Sequence, residues 1–179
     1  PNKGHLERAI QSYETARDLI DTTSPQRQFA AINLNLGNAF FKLGKIDKAF
    51  DAFLHREISG LPFRNRHREL IFRTRFARSA ISQDALDVAI DQGAIALRIA
   101  ESGTQIDSDK SYLPKVLAIQ GASHFQAELY QEAADFFRQA FDLLRARQDW
   151  THAIPLLRGE ALSKMQLGDY LSAKKLFAK

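Results

Sequence analysis

The stretch AINLNLGNAFFKLGKIDKAFDAF, residues 31–53, holds two amphipathic segments on either side of Leu43-Gly44. Glycine adopts the left-handed backbone conformation that ends a helix at little cost, so this pair marks a helix C-terminus. An apolar residue, a small residue and an aromatic then follow at Ile46, Ala49 and Phe53. That spacing places all three on one side of a second helix. The stretch therefore predicts two helices joined by a tight turn.

The same pattern recurs along the chain. LGDYLSAKKLF at 167–177 is a close copy, and weaker copies are AELYQEAADFF at 127–137 and SQDALDVAIDQG at 82–93. A fifth copy, LERAIQSY at 6–13, lacks its beginning. A nearly constant period of this kind is the signature of a repeat protein. The central alanines of the five copies are separated by 40, 40, 44 and 40 residues: Ala9, Ala49, Ala89, Ala133 and Ala173.

A second small residue lies about twelve positions before four of these alanines, at Gly37, Ala77, Gly121 and Ala161. Small residues let two helices approach closely, so each repeat is predicted to be an antiparallel helix pair. Ser24-Pro25 predicts a helix start, and the polar segment 101–109 predicts a longer connector that accounts for the 44-residue interval. No strand alternation occurs. The predicted helices are 5–20, 26–43, 46–58, 66–82, 84–101, 111–127, 130–147, 151–167 and 170–179.

The spacing of small and aromatic residues resembles the tetratricopeptide repeat (TPR), a helix-turn-helix unit of about 34 residues. Leu36, Gly37, Phe40, Ala49 and Phe53 fall on the consensus positions of that family. The period of about 40 residues resembles extended TPR arrays such as those of kinesin light chains, polarity scaffolds and bacterial signalling regulators. The resemblance covers nearly the whole chain. It implies an all-α fold, a right-handed α-solenoid of antiparallel helix pairs that forms a TPR-like superhelix.

Under this register the chain is a single array. It comprises a half-repeat at 1–22, full repeats at 24–62, 63–103 and 108–148, and a truncated repeat at 150–179. Two departures stand out. Arg56 occupies a position where other copies have Ala16, Ala96 and Ala140, and Gly93 replaces the aromatic of the third copy.

Composition narrows the functional classes. The chain has no cysteine, which excludes disulfides and thiolate chemistry. It has no apolar stretch of membrane-spanning length and no signal peptide, which indicates a cytoplasmic protein. The N-terminus lacks Met and the C-terminus ends in a helical pattern, so we expect a fragment of a longer protein. The formal charge is +4, and residues 64–78 contribute six Arg minus one Glu, or +5, so the other 164 residues sum to −1.

No catalytic or metal-binding motif is present. The five histidines have no metal-ligand spacing, and His124 is predicted to be a packed side chain. GNAFFKLGK at 37–45 lacks the Ser or Thr that follows the lysine in a phosphate-binding loop. Asp107 and Asp109 lie in the predicted connector, where solvated carboxylates are expected. We therefore expect no enzyme activity, no cofactor and no metal.

The resemblance to TPR domains implies that the first helix of each pair lines a concave groove. The groove positions implied by this resemblance are occupied mainly by basic and amide side chains and include no acid. Thr74 is also one of these positions. Asn38 and Lys115 match the carboxylate clamp of chaperone-binding TPR domains, whereas Leu34 and Ile119 stand where that clamp needs basic residues. A generic acidic or C-terminal peptide is the expected ligand. The candidate peptide-binding residues are Asn35, Asn38, Phe41, Lys42, Arg75, Arg78, Lys115, Phe125, Gln126 and Arg158.

The arginines of residues 64–78 divide between two sides of one helix. Arg66 and Arg73 lie on one side, and Arg73 is predicted to pack between helices with a partner for its guanidinium group. The other four fall within roughly 80° of one another on the opposite side, provided that the helix begins early enough to include Arg64: Arg64, Arg68, Arg75 and Arg78. Of these, Arg75 and Arg78 are the predicted partner contacts, and Arg64 and Arg68 are peripheral.

Several functions remain open from the sequence. The first is a protein–protein interaction or scaffold module that binds an acidic or extended peptide. The second is a regulatory or sensor array of a larger, possibly bacterial, signalling or transcription-regulating protein. The third, nucleic-acid binding through Arg64 to Arg78, is weakened because only one repeat is basic. Any single arginine could instead lie on a solvated face, paired with acids such as Asp84, Asp87 and Asp91.

Overall fold

A computed structural model describes residues 2–20, 26–102 and 107–178, and helices occupy most of these ranges. No strand is present within them. The expected all-α fold is confirmed. In chain order the helices are α1 (Lys3–Asp18), α2 (Gln26–Lys42), α3 (Ile46–Ile58), α4 (Arg66–Ser82), α5 (Leu86–Glu101), α6 (Asp107–Gln126), α7 (Tyr130–Ala146), α8 (Trp150–Gln166) and α9 (Tyr170–Phe177).

The predicted helix boundaries are close to the observed ones, with one clear error. Helix α6 begins at Asp107, so Asp107 and Asp109 belong to its first turn and not to a connector. Acidic residues are favoured in the first turn of a helix, which the predicted boundary overlooked. The predicted helix start at Ser24-Pro25 lies outside the described residues.

A recurring turn joins consecutive helices. In the turn between α2 and α3, Gly44 has φ of 74° and the Lys45 amide donates to the Phe40 carbonyl at 3.0 Å. The same left-handed position is held by Gly168 in the turn between α8 and α9. Glu128 and Gln148, with φ of 62° and 58°, hold it in two other turns. The leucine-glycine pairs therefore end helices as predicted, and the same backbone geometry also occurs where glycine is absent.

The chain comprises two compact units, residues 1–84 and 85–179. In the first, α1 packs against α2, α2 against α3 and α3 against α4, and α2 also contacts α4. In the second, each helix from α5 to α9 packs against the next. The repeat alanines lie in these cores: Ala49, Ala89, Ala133 and Ala173 are buried, and Ala9 is half-buried.

Close helix contacts explain the small residues. A Cβ atom on Gly37 would collide with the Phe53 ring, and one on Gly121 would lie 2.8 Å from the Phe137 ring. Each glycine thus accepts the aromatic that comes from the second helix of its own repeat. Because these contacts are closer than any side chain allows, the small residue and the aromatic are needed together.

Gly93 stands where the other repeats have an aromatic residue, and a side chain of a neighbouring helix fills the space that the aromatic would occupy. A Cβ atom on Gly93 of α5 would lie 2.6 Å from the side-chain oxygen of Gln120 in α6. Gln120 is buried, its amide donates to the Ile90 carbonyl at 3.4 Å, and its oxygen accepts from Ser123. A polar side chain with satisfied hydrogen bonds therefore occupies the space next to Gly93, where the other repeats have an aromatic.

Candidate ligand-binding surface of the first unit

Helices α2 and α4 contact each other. They run in the same direction, since Arg27 and Leu34 of α2 line one cavity with Arg68 of α4, and the later residue Asn38 meets Arg75. Four of the ten predicted groove residues come together on this pair. The Arg75 guanidinium group donates a hydrogen bond to the side-chain oxygen of Asn38. The guanidinium carbons of Arg75 and Arg78 lie 5.8 and 5.6 Å from the centroid of the Phe41 ring. We refer to Asn38, Phe41, Arg75 and Arg78 as the α2–α4 cluster.

Helical spacing assembles this cluster. Asn38 and Phe41 are three residues apart on α2, and Arg75 and Arg78 are three apart on α4, so each pair shares one face of its helix. Contact with an aromatic face restricts a guanidinium group and reduces the entropy lost when that group binds a ligand. The cluster therefore presents two oriented guanidinium groups next to the half-buried ring of Phe41.

The other predicted positions have different surroundings. Asn35 and Lys42 are exposed on α2. Thr74 is not a groove residue: it is 1% exposed, and its hydroxyl donates to the Leu70 carbonyl at 2.6 Å. The α4 face that carries Thr74 is buried in the core, so alignment to the family placed this residue wrongly.

The remaining four predicted residues belong to the second unit. The Lys115 ammonium group lies 5.5 Å from the Tyr112 ring centroid. The Phe125 ring packs edge-on against the Tyr130 ring, with centroids 5.4 Å apart. Gln126 and Arg158 are exposed on α6 and α8.

Arg73 packs between helices, as predicted. Its side chain is 12% exposed, and it forms ion pairs with Glu57 of α3 at 2.5 Å and with Glu69 of its own helix at 3.2 Å. The guanidinium carbon also lies 5.3 Å from the Phe72 ring centroid. Because both carboxylates point at Arg73, this arginine ties α3 to α4 and is not a ligand contact.

Arg56 has a role that the sequence did not reveal. It is buried at 5% exposure, and its guanidinium group donates to the Ser59 hydroxyl at 3.1 Å and to the Leu61 carbonyl at 2.9 Å. The guanidinium carbon lies 4.1 Å from the Phe63 ring centroid. Burial is the main cause that lowers the pKa of Arg56, and the nearby Arg73 lowers it further against the opposing effect of Glu57 and Glu69. The arginine thus fastens the segment 59–63 onto α3.

Beside this segment lies a pocket of about 410 Å³, which we name the Arg56 pocket. Its walls come from α2, from Arg56 at the end of α3, from the segment between α3 and α4, and from the first turn of α4. Within the described ranges it has arginines but no acid among its lining residues: Arg27, Ala30, Ala31, Leu34, Arg56, Leu61, Pro62, Phe63, Arg64, Asn65 and Arg68.

The second unit holds a buried carboxylate that the sequence also did not reveal. Glu160 of α8 is 3% exposed and accepts hydrogen bonds from Arg138 of α7 at 2.9 and 2.6 Å. The hydrogen bond to Glu160 is the main cause that raises the pKa of Arg138. The pair borders a pocket of about 300 Å³ that also contains Asp142. Both lining acids are paired, Glu160 with Arg138 and Asp142 with Arg145, and Lys164 and Lys175 also line the pocket.

Other candidate chemistry has structural explanations. His124 is a packed residue, as predicted, because its ring lies 4.9 Å from the Phe136 ring and its Nδ1 is 2.8 Å from the Gln120 carbonyl oxygen. Over the described part of the chain, no group of three or more His, Cys, Asp or Glu side chains could hold a metal ion. None of the helices in that part has the length and apolar character required to cross a membrane.

The helix pairs, the glycine–aromatic contacts and the repeated turns define an all-α repeat protein of the α-solenoid class. Solved structures share this fold. A crystal structure of MamA matches 98% of this chain and 81% of its own with 14% identity and a TM-score of 0.70. A second MamA structure, of AMB-1, gives 19% identity, 98% and 87% coverage and a TM-score of 0.68.

A putative kinesin light chain of Podospora anserina with nearly identical TPR-like repeats is also similar. It has 13% identity, a TM-score of 0.69 and coverage of 98% of this chain and 84% of its own. The likenesses confirm the TPR-like fold, and at these identities they concern the fold alone. No protein-family model and no curated protein matches the sequence.

Proposed function

We propose that this chain is a protein–protein interaction module, acting as a scaffold, whose α2–α4 face binds an acidic, extended peptide segment. The observation that carries the proposal is the α2–α4 cluster, in which Arg75 and Arg78 lie over Phe41 beside Asn38. Guanidinium groups bind carboxylates with two parallel hydrogen bonds, and their contact with an aromatic ring orients them in advance.

The chemistry of Asn38 fits a peptide backbone. Its side-chain oxygen accepts from Arg75, and its amide nitrogen has no hydrogen-bond partner among the described residues. That nitrogen can donate to a peptide carbonyl, which is how asparagine recognises an extended chain irrespective of its sequence. Asn35 and Lys42, both exposed on the same helix, extend the polar contacts to either side.

The same cluster is less suited to nucleic acid. Single strands bind proteins largely by stacking bases on exposed aromatic rings. Phe41 is half-buried, and both guanidinium groups lie close to its ring. An acidic peptide needs only the cations, so the arrangement supports a protein partner.

A regulatory array of a larger signalling protein would use the same surface. In that case the acidic peptide would be an intramolecular segment or a peptide signal, and the physics of binding would be unchanged. The proposal for the α2–α4 face therefore covers both alternatives. They differ in the origin of the peptide.

Fluorescence anisotropy with short labelled Asp/Glu-rich peptides tests the proposal, with Asn/Gln peptides of the same length as the neutral reference. Arg75→Glu combined with Arg78→Glu should weaken binding of the acidic peptides by at least about tenfold. The control combines Lys45→Glu with Arg66→Glu, since both residues are exposed and the net charge changes equally. Equal losses for the two double variants would show nonspecific charge attraction and refute the proposed site.

A further inference from the structure

The Arg56 pocket and the α2–α4 cluster occupy successive positions on the same helix faces. On α2 the pocket residues Ala31 and Leu34 are followed by Asn38 and Phe41 at spacings of three and four residues. Such spacing keeps side chains on one face of a helix. On α4, Arg68 precedes Arg75 by two turns. A ligand that extends along the α2–α4 face from the cluster therefore reaches the pocket.

The lining of the pocket combines two chemistries. Six of its eleven residues are apolar: Ala30, Ala31, Leu34, Leu61, Pro62 and Phe63. The exposed arginines Arg27, Arg64 and Arg68 also line it, together with the buried Arg56. An apolar side chain can bury its surface against the first group while a neighbouring carboxylate meets the arginines. A phosphate backbone has no group that would use the apolar wall.

Arg56 organises the pocket. Its hydrogen bonds to Ser59 and Leu61 and its contact with Phe63 hold one wall in place. Because the guanidinium group is largely removed from water, its positive charge is poorly screened at the pocket lining. Arg56 is thus a positioning residue for the wall.

We infer that the Arg56 pocket is a specificity site that takes a large apolar side chain of the bound peptide, with an adjacent acidic residue of that peptide at Arg64 and Arg68. This inference rests on the proposed function and deepens it. The seven residues from Arg68 to Arg75 correspond to roughly 10 Å along a helix. An extended peptide covers that distance in about three residues. The recognised segment therefore carries an apolar–acidic pair and a second acid about three residues away.

The test measures anisotropy of three short labelled peptides in a Gly/Ser background. The first contains Leu-Asp with Glu about three residues beyond the Asp. The second replaces its Leu by Ser, and the third replaces both acids by their amides. Peptides of reversed sequence are included, because the groove does not define the direction of the chain. Binding of a labelled single-stranded oligonucleotide is measured in parallel, as the alternative class of ligand.

Two kinds of variant address the pocket separately. Arg64→Ser with Arg68→Ser removes its exposed charge, and the control Arg66→Ser removes a charge outside the lining. Ala31→Phe fills the pocket without any change of charge, since Ala31 is exposed and lines it. If circular dichroism shows that the phenylalanine of Ala31→Phe impairs folding, Ala31→Leu is used in its place.

We expect both pocket variants to bind the Leu-Asp peptide about tenfold more weakly than the wild type. The control Arg66→Ser should bind it with unchanged affinity. The Leu→Ser peptide should bind more weakly and lose its sensitivity to Ala31→Phe. If the Leu-Asp peptide depends on Arg75 and Arg78 but not on the pocket variants, the inference is overturned and the proposed function stands. If no acidic peptide binds, both fail. Oligonucleotide binding that falls steeply with salt and ignores Ala31→Phe would overturn the inference in favour of nucleic acid.

Discussion

For the substitution Arg56→Ala, the repeat pattern and the tertiary structure predict opposite changes in stability. Alanine stands at the equivalent position in three other copies of the repeat, as Ala16, Ala96 and Ala140. Substitutions toward a consensus commonly stabilise proteins, so the pattern alone predicts a more stable chain. The structure predicts the opposite, because Arg56 fastens the segment 59–63 through two hydrogen bonds and a contact with Phe63.

The magnitude follows from those contacts. A hydrogen bond from a charged donor contributes about 1.5–3 kcal/mol to stability. Arg56 makes two such bonds. Two effects reduce their sum: the guanidinium group regains its hydration in the unfolded chain, and water can replace the bond to the half-buried Leu61. We therefore expect Arg56→Ala to lower the free energy of unfolding by about 2–3 kcal/mol.

Urea unfolding followed by circular dichroism measures this difference, with Lys45→Ala as the exposed control expected to change stability by less than about 0.5 kcal/mol. Hydrogen exchange locates the effect, since amides of residues 59–72 should lose protection while those of α7 and α8 keep it. An Arg56→Ala chain as stable as the wild type, or more stable, would refute the structural role of the arginine. The repeat pattern would then have been the better guide.

Two further predictions concern the repeated turns. Gln148→Gly should raise the free energy of unfolding by about 0.5–1 kcal/mol in urea titrations. A left-handed conformation costs residues other than glycine about 1–2 kcal/mol, and the greater entropy of glycine in the unfolded chain offsets part of the gain. An unchanged or lower free energy of unfolding would contradict the left-handed φ of 58°. For Asp169, hydrogen bonds from Ser172 are the main cause that lowers the carboxyl pKa. The ionised form therefore stabilises α9 above the pKa of the unfolded chain, and this stabilisation is lost as pH falls through the folded-state pKa. Amides of α9 should accordingly exchange faster in Asp169→Asn than in the wild type at pH near 7, with the ratio of rates approaching one at acidic pH, and a ratio independent of pH would count against the charge effect.

The predicted surface was partly recoverable from the sequence. Alignment to the TPR family places Arg75 and Arg78 in the groove together with Asn38 and Phe41, and helix periodicity puts the two arginines on one face of their helix. The position of Arg73 on its helix likewise predicts a buried stem that needs a partner, and the acids that pair with it are Glu57 and Glu69. Thr74 was misplaced, since alignment to a family gives a position on a helix but not the packing around it.

The amino-acid sequence is sufficient to predict the helices and their order along the chain. Helix ends, repeat alanines and small–aromatic pairs depend on neighbours a few residues apart, and that information is local. Three features become visible only in the folded chain: the Arg56 pocket, the Gln120 side chain beside Gly93 and the burial of Glu160 against Arg138. Each depends on the path of a connecting segment or on side chains that meet from different helices. A charged residue such as Arg56 carries no local sign of whether it faces water or fastens a loop, because its burial is a property of the neighbours that surround it in the folded chain.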